Sequence, residues 1–367
     1  MPNTGCSGRR VRAASCQVSI NPPPPGTPLL QREWLRSLLA NSAALLILVA
    51  VAIAAFYFYG IRMPGASYTG PLPPLSADSQ QRRERLSEQV RVLATVIGER
   101  HAGTPAKLAQ AADYIEQQFS NFAYVPKQEI ISDKGYRNIV VDLYGKQSRD
   151  KILLVGAHYD TTWMTPGADD NASGVAALLE IARSLRQKDL PITIRFVAFT
   201  NEEFPMYGTP YMGSLYHAQH AQAQNENIVG MFSLEMLGYY SDQPRSQYYP
   251  RAIRPFYPRQ GNFIAFVSNI VSRPLLLDAI TAFRANARFP TQGLAAPQWL
   301  VPGVRRSDQA SFWAHGYQGV MITDTADYRN YGYHNVTDTH DSLDYDRLTI
   351  VVEGLMAMLE TLARQYR

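Results

Sequence analysis

Cysteine is almost absent: the chain has two in 367 residues, Cys6 and Cys16, both near the N-terminus. The remaining chain therefore forms no internal disulfide and offers no thiolate as nucleophile or ligand. Any metal bound there must be held by His, Asp and Glu. A one-signed charge is missing as well. Lys and Arg total 35 against 31 acids, and residues 1–61 account for five arginines (Arg9, Arg10, Arg12, Arg32, Arg36) and one acid, Glu33. That leaves thirty of each sign in the body. A nucleic-acid groove needs net positive charge on the folded part, so the composition argues for no nucleic-acid partner. No internal repeat is visible, and only one apolar run is long.

That run is residues 38–59, uncharged, with Asn41 and Ser42 near one end. As a helix rising about 1.5 Å per residue it spans a hydrocarbon core of roughly 30 Å. Phe56, Tyr57, Phe58 and Tyr59 close it where an interfacial aromatic belt is expected. The arginines precede the run and only Arg62 follows closely. The positive-inside rule thus predicts a single-pass membrane protein with a cytoplasmic N-terminus and an extracytoplasmic body, periplasmic or extracellular. A cleaved signal peptide is the competing reading, but the run exceeds the usual length of one. Residues 1–37, with prolines at 22–25, read as a disordered cytoplasmic arm. Residues 60–79, with Pro64, Pro71, Pro73 and Pro74, read as a linker.

Residues 80–367 read as one α/β domain. Helical patterns cover 80–97 and 106–120, and a hairpin covers 130–144 with its turn near Asp133, Lys134 and Gly135. A buried strand at 152–157 leads to a helix from 175, followed by strands at 192–199, 228–234, 263–267 and 320–323 and a closing helix at 346–364. Such alternation predicts a mostly parallel central sheet covered by helices on both faces. Two long insertions, 204–227 and 239–262, follow strand ends and are placed to wall a pocket.

The ionisable residues cluster at strand ends, where ligands of open α/β sheets bind. The first strand ends on His158-Tyr159-Asp160. Side chains alternate along a strand, so His158 and Asp160 face one side, and one can bind a metal while the other holds it. Ten residues after Asp160 comes Asp170-Asn171-Ala172-Ser173-Gly174. The next strand ends in Asn201-Glu202-Glu203 and the third in Glu235, and a late polar loop carries Tyr333-His334 and then Asp338-Thr339. Imidazoles and carboxylates without thiolates suit zinc or another borderline first-row ion. Taken singly, Glu202-Glu203 reads as a solvated turn, as most such pairs do, and only its place at a strand end favours a site; His340 rivals His334.

In combination, His-x-Asp, Asp-Asn-Ala-Ser-Gly, Asn-Glu-Glu, Leu-Glu-Met-Leu-Gly and Tyr-His-x-x-x-Asp-Thr occur in one order, and over residues 85–365 the chain resembles the M28 family of zinc aminopeptidases. The resemblance implies a zinc aminopeptidase-like fold, two zinc ions per chain and peptide substrates. It implies that His158 and Glu235 bind one ion, Glu203 and His334 the other, and that Asp170 bridges them. Glu202 would be the general base in peptide hydrolysis, Asp160 would orient His158, and Tyr333 matches a residue that stabilises the oxyanion. It also implies a cis peptide at Asp170-Asn171.

Two positions depart from the family pattern. Glu235 stands where many relatives have Asp, and Ser307-Asp308-Gln309 where Ser-Asp-His is common. Asp308 reads as the N-cap of a short helix through Trp313. His217 and His220, at helical spacing without partner ligands, read as an exposed loop or helix face. His101 and His315 belong to no constellation. Tyr239, Tyr240, Tyr248 and Tyr249 read as cover for their own insertion rather than cleft lining. The sequons Asn171-Ala172-Ser173 and Asn335-Val336-Thr337 fall inside the metal motifs, where a glycan would block the cleft, so both asparagines are expected unmodified. Two alternatives remain: a glutaminyl-cyclase-like acyltransferase with one zinc, and a non-catalytic receptor or scaffold on the same fold.

Overall fold

The computed structural model describes residues 28–367, which form two units, a helix ending at Phe56 and the body from Tyr57 to Arg367. Cys6, Cys16, Arg9, Arg10, Arg12 and the 22–25 prolines lie outside the described residues. The helix, α1 (Pro28–Phe56), begins ten residues before the expected span. The reading of 1–37 as wholly disordered is thus corrected for residues 28–37. Hydropathy marks where a chain can leave water; it does not mark where a helix starts, and proline is tolerated in a first turn. The apolar helical stretch Arg32–Ile61 covers 30 residues, long and apolar enough to cross a membrane.

In the body, eight strands form one mixed sheet in the order β1-β2-β4-β3-β5-β8-β6-β7. They are β1 (Lys127–Ile130), β2 (Arg137–Leu143), β3 (Ser148–His158), β4 (Ile192–Phe199), β5 (Asn227–Glu235), β6 (Ile264–Ser268), β7 (Thr291–Ala295) and β8 (Gly319–Thr323). The central four, β4, β3, β5 and β8, run parallel. The hairpin strand β2 and the β6/β7 pair run against them.

Alternation along β3 explains why helices cover both faces. Leu153, Val155 and Ala157 join one core with α2 (Ala77–Arg91), α3 (Pro105–Asn121), α4 (Gly174–Leu185), α6 (Arg273–Asn286) and α8 (Tyr345–Gln365). Ile152 and Leu154 point the other way, into a smaller core with Ala218 and Ala221 of α5 (Gly213–Ala223) and with Phe312 of α7 (Gln309–Ala314). A central strand buried on both sides reads as a continuous apolar run, as this one does.

Helices α5 and α6 and strand β7 had no counterpart in the sequence reading. α5 explains His217: it is 4% exposed, with Nδ1 3.1 Å from Glu129 Oε2, so the expectation of an exposed histidine fails. Its partner lies 88 positions away, out of reach of local pattern. His220 stacks on Tyr216 of the same helix. The 60–79 segment is not a free linker. Met63, Leu72 and Leu75 pack against the large core, and the Thr291 amide of β7 donates to Ser67 Oγ at 2.8 Å.

Candidate metal centre

The carboxyl ends of β3, β4 and β5 bring their terminal residues to one place. Two acids fix the loops that carry the others. Asp160, just past β3, accepts the backbone N–H of Glu202 at Oδ1 and of Glu203 at Oδ2, both at 3.0 Å. Asp338 does the same for the loop before α4, accepting from Asp169 at 2.8 Å and Asp170 at 3.0 Å. A carboxylate that takes two backbone donors locks a loop more firmly than a neutral acceptor would. The Asp170-Asn171 peptide is cis. Asn171 is fully buried; its amide donates to Leu234 O and accepts from Gly174 N and Met236 N, tying this loop to the end of β5. Only glycine fits at 174, where a Cβ would lie 2.3 Å from Asn171 Oδ1 and 2.5 Å from Leu234 O.

Two sets of three donors result, sharing Asp170: His158, Asp170 and Glu235, and Asp170, Glu203 and His334, each within 4.8 Å of one another. His158 Nε2 is 3.3 Å from Asp170 Oδ1 and 3.3 Å from Glu235 Oε2. His334 Nε2 is 3.2 Å from Asp170 Oδ2 and 3.3 Å from Glu203 Oε1. Both ring nitrogens of His158 and Oδ1 of Asp170 are buried with no hydrogen-bond partner. Buried polar atoms are seldom left so. Atoms that converge without bonding fit a cation held between them, and a thiolate-free set of imidazoles and carboxylates fits zinc.

Electrostatics agree. Burial pushes Glu202 well above the usual carboxylate range, and burial together with Asp170 pushes Glu203 up to about 7. Burial would lower both histidines, but His158 is raised by Glu235, Asp160 and Asp170, and His334 is raised to about 10 by Asp170 and Glu203. Burial likewise works against Asp170, yet His158 and His334 hold its pKa down. Positive charge is what the cluster lacks.

Glu202 itself is 8% exposed and lines the cleft beside Tyr333, which stacks on His334 at 3.7 Å. Asp160 Oδ1 lies 3.5 Å from His158 Nδ1. Ser307 Oγ donates to Glu235 Oε2 at 2.5 Å, steadying the longer side chain. His340 instead meets Ser87 of α2 and Asp341, away from the donors. The N-cap expectation for Asp308 holds for position and not for bonding: it stands at the N-cap of α7 and its carbonyl accepts from Ser311 N, but its side chain accepts nothing from the first turn, and both carboxylate oxygens are buried without partners. Burial raises it to about 7 while His158 pulls it down. Gln309 turns away to donate to Val304 O. The anchoring role of Asp338 and the contact of Ser307 had gone unassigned. Asp338 was visible as the acid four residues after His334, and Ser307 had no local signal.

The cleft beyond the donors encloses about 920 Å³, its open mouth included. Tyr249, Ile253 and Tyr257 of the 239–262 insertion line it together with Phe266, Leu294, Val304 and Met321. Tyr249 therefore lines the cleft, contrary to expectation, and Tyr240 joins the large core of the domain and not a separate core of the insertion. The 204–227 insertion does not wall this cleft; its helix α5 covers the other face of the sheet.

Residues 138–359 match the model of peptidase family M28. The chain belongs to that family. The body is thus a metallopeptidase domain, and the family, with relatives described as probable zinc metalloproteases, implies zinc as the metal. The uncharacterized Escherichia coli protein YfbL is 38% identical over 287 residues, covering 75% of this chain and 87% of that one. Among solved structures, a zinc aminopeptidase from Bacillus subtilis has a TM-score of 0.60 at 15% identity, covering 79% of this chain and 95% of that one. A glutaminyl cyclase from Bacteroides thetaiotaomicron has 0.57 at 19% identity, covering 79% and 99%. At those identities the likeness speaks for the fold alone, and both chemistries share it.

Proposed function

We propose that the protein is a di-zinc aminopeptidase, anchored in a membrane by α1 with its body on the extracytoplasmic side, that removes large apolar N-terminal residues from peptides. The observation that carries the reading is the pair of donor triads meeting at Asp170 beside an apolar cleft. His158, Glu235 and Asp170 would hold one ion, and Glu203, His334 and Asp170 the other. When bound, the ions supply Lewis acidity toward the scissile carbonyl and lower the pKa of water.

The chain's own groups do the rest. Glu202, kept out of solvent and without a ligand's task, takes the proton of the attacking water and returns it to the leaving amine, a step worth about 10² to 10⁴ in rate. Asp160 keeps the Glu202-Glu203 turn and the His158 ring in place. Tyr333, beside His334, donates its hydroxyl to the oxyanion as it forms. The wall of Ile253, Phe266, Leu294 and Val304 takes the first side chain of the peptide and excludes water from it.

The glutaminyl-cyclase reading needs one zinc and no attacking water, and the complete second triad favours the peptidase. The test is zinc per chain together with a panel of aminoacyl substrates and a peptide beginning with Gln. Two zinc ions and release of apolar N-terminal residues support the proposal. One zinc and cyclisation of the glutaminyl peptide support the alternative, and a metal-free, inactive protein supports a scaffold.

A further inference from the structure

The body is neutral in sum but not in arrangement. From Gln243 to Ser307 the sequence has nine arginines, no lysine and a single acid, Asp278. That acid is engaged by the Tyr366 hydroxyl at 2.8 Å. The stretch supplies most of the 239–262 insertion, then β6, α6 and β7, and so forms one end of the sheet. Arg251 and Arg254, on the turn that opens at Pro250, are exposed and have no acidic partner among the described residues.

The segment that leaves the apolar helix lies against this same end. Tyr57 sits 5.8 Å from Phe256, two residues after Arg254. The Arg273 guanidinium stands 4.4 Å over the Tyr59 ring and donates to Tyr59 O. Arg284 donates to the carbonyls of Pro64 and Gly65. Phe58 is 57% exposed, Tyr59 51% and nearby Val271 76%, and no acid occurs from Tyr57 to Leu75. Exposed aromatic and apolar side chains beside unpaired arginines, where a membrane-length helix emerges, match the chemistry of a headgroup layer. A guanidinium binds a phosphate through two parallel hydrogen bonds.

We propose that this face of the body rests on the anionic phosphate headgroups of a lipid bilayer, with Arg62, Arg251 and Arg254 as phosphate contacts and Phe58, Tyr59 and Val271 at the interface. It rests on reading the apolar helix as a membrane anchor and is independent of the peptidase chemistry. The loop that carries Arg251 and Arg254 also carries Tyr249, Ile253 and Tyr257 of the cleft wall, so one side of the cleft is held at the membrane surface.

The experiment uses the full chain in nanodiscs of phosphatidylcholine alone or with phosphatidylglycerol, and reads backbone hydrogen exchange over residues 245–262. Exchange should be slower with phosphatidylglycerol, and high salt should remove the difference. In the triple variant Arg62→Gln, Arg251→Gln, Arg254→Gln, which should turn over normally in detergent, the protection should fall by roughly fivefold for each arginine replaced. Equal exchange in both lipids, or full protection in the triple variant, overturns the proposal. A chain that does not enter nanodiscs at all refutes the anchor itself and the proposal with it. An inserted chain indifferent to lipid charge, such as one that docks an acidic protein there, refutes the proposal alone.

Discussion

The centre of the sheet and its β6/β7 end are built from opposite materials. At the carboxyl ends of β3, β4 and β5, acids are buried with the His158 imidazole beside an exposed His334, and the loops that carry the acids are pinned by Asp160 and Asp338. At the other end the chain has almost no acid, and its inner surface is an apolar wall. The contrast teaches a division of labour. Buried charge is tolerated only where a compensating charge arrives, so the centre is specified by what binds there. The edge is specified by what it excludes, namely water and competing charge. In the account offered above, the centre does chemistry and the edge does selection.

Breaking the centre should have the largest effect. Chelation, or Asp170→Ala, which removes the donor common to both triads, should reduce peptide hydrolysis to background; zinc should restore the chelated protein and not the variant. Glu202→Gln should come next, with kcat lower by about 10² to 10⁴ and zinc content unchanged. Full activity in that zinc-loaded variant would remove Glu202 from its role.

Narrowing the edge should leave the chemistry intact and change the choice of substrate. Val304→Phe should lower kcat/KM for leucyl or phenylalanyl substrates by roughly 10- to 200-fold relative to an alanyl substrate, the range set by a methylene or so in an apolar pocket. Equal losses on all substrates would show that the wall does not select.

A site remote from both regions should affect stability and leave turnover untouched. The Glu180 carboxylate, fully buried on α4, receives Arg82, Arg85 and Arg183 at 3.1, 2.8 and 2.8 Å. Burial alone would raise its pKa, but Arg183 and Arg85 outweigh it and lower it. Glu180→Gln should cost about 2 to 3 kcal/mol, less than a wholly buried pair because the arginines are partly in water. Because the folded pKa is depressed, this contribution is in place above the ordinary carboxylate pKa and is lost as pH falls through the folded value. Thermal melts of the two proteins should therefore draw together as pH falls below the ordinary carboxylate range, and converge only below the depressed folded pKa.

The two regions also differed in how far they could be read from sequence. Buried strands announce themselves as apolar runs, and the ends of β3, β4 and β5 fall within a residue of where such runs stop. His158, Glu203 and Glu235 were therefore placed by local pattern, and the motif order tied them to Asp170 and His334. β7 was missed because Thr291-Gln292-Gly293-Leu294-Ala295 is neither apolar nor β-branched throughout; pairing with β6 makes it a strand. His217 and Asp308 were misjudged for a related reason. What surrounds them comes from distant parts of the chain, and a spacing rule sees only neighbours. The 60–79 segment looked like a linker because its prolines suit extended chain, and the same extended form is what lets it lie against the β7 edge.

The central claim is that five side chains meet around two ions, and anomalous diffraction at the zinc edge from crystals of the zinc-loaded protein tests it most directly. The account predicts two peaks per chain, one among His158, Asp170 and Glu235 and the other among Asp170, Glu203 and His334. A single peak, or none at these residues in a protein that still hydrolyses peptides, would contradict it.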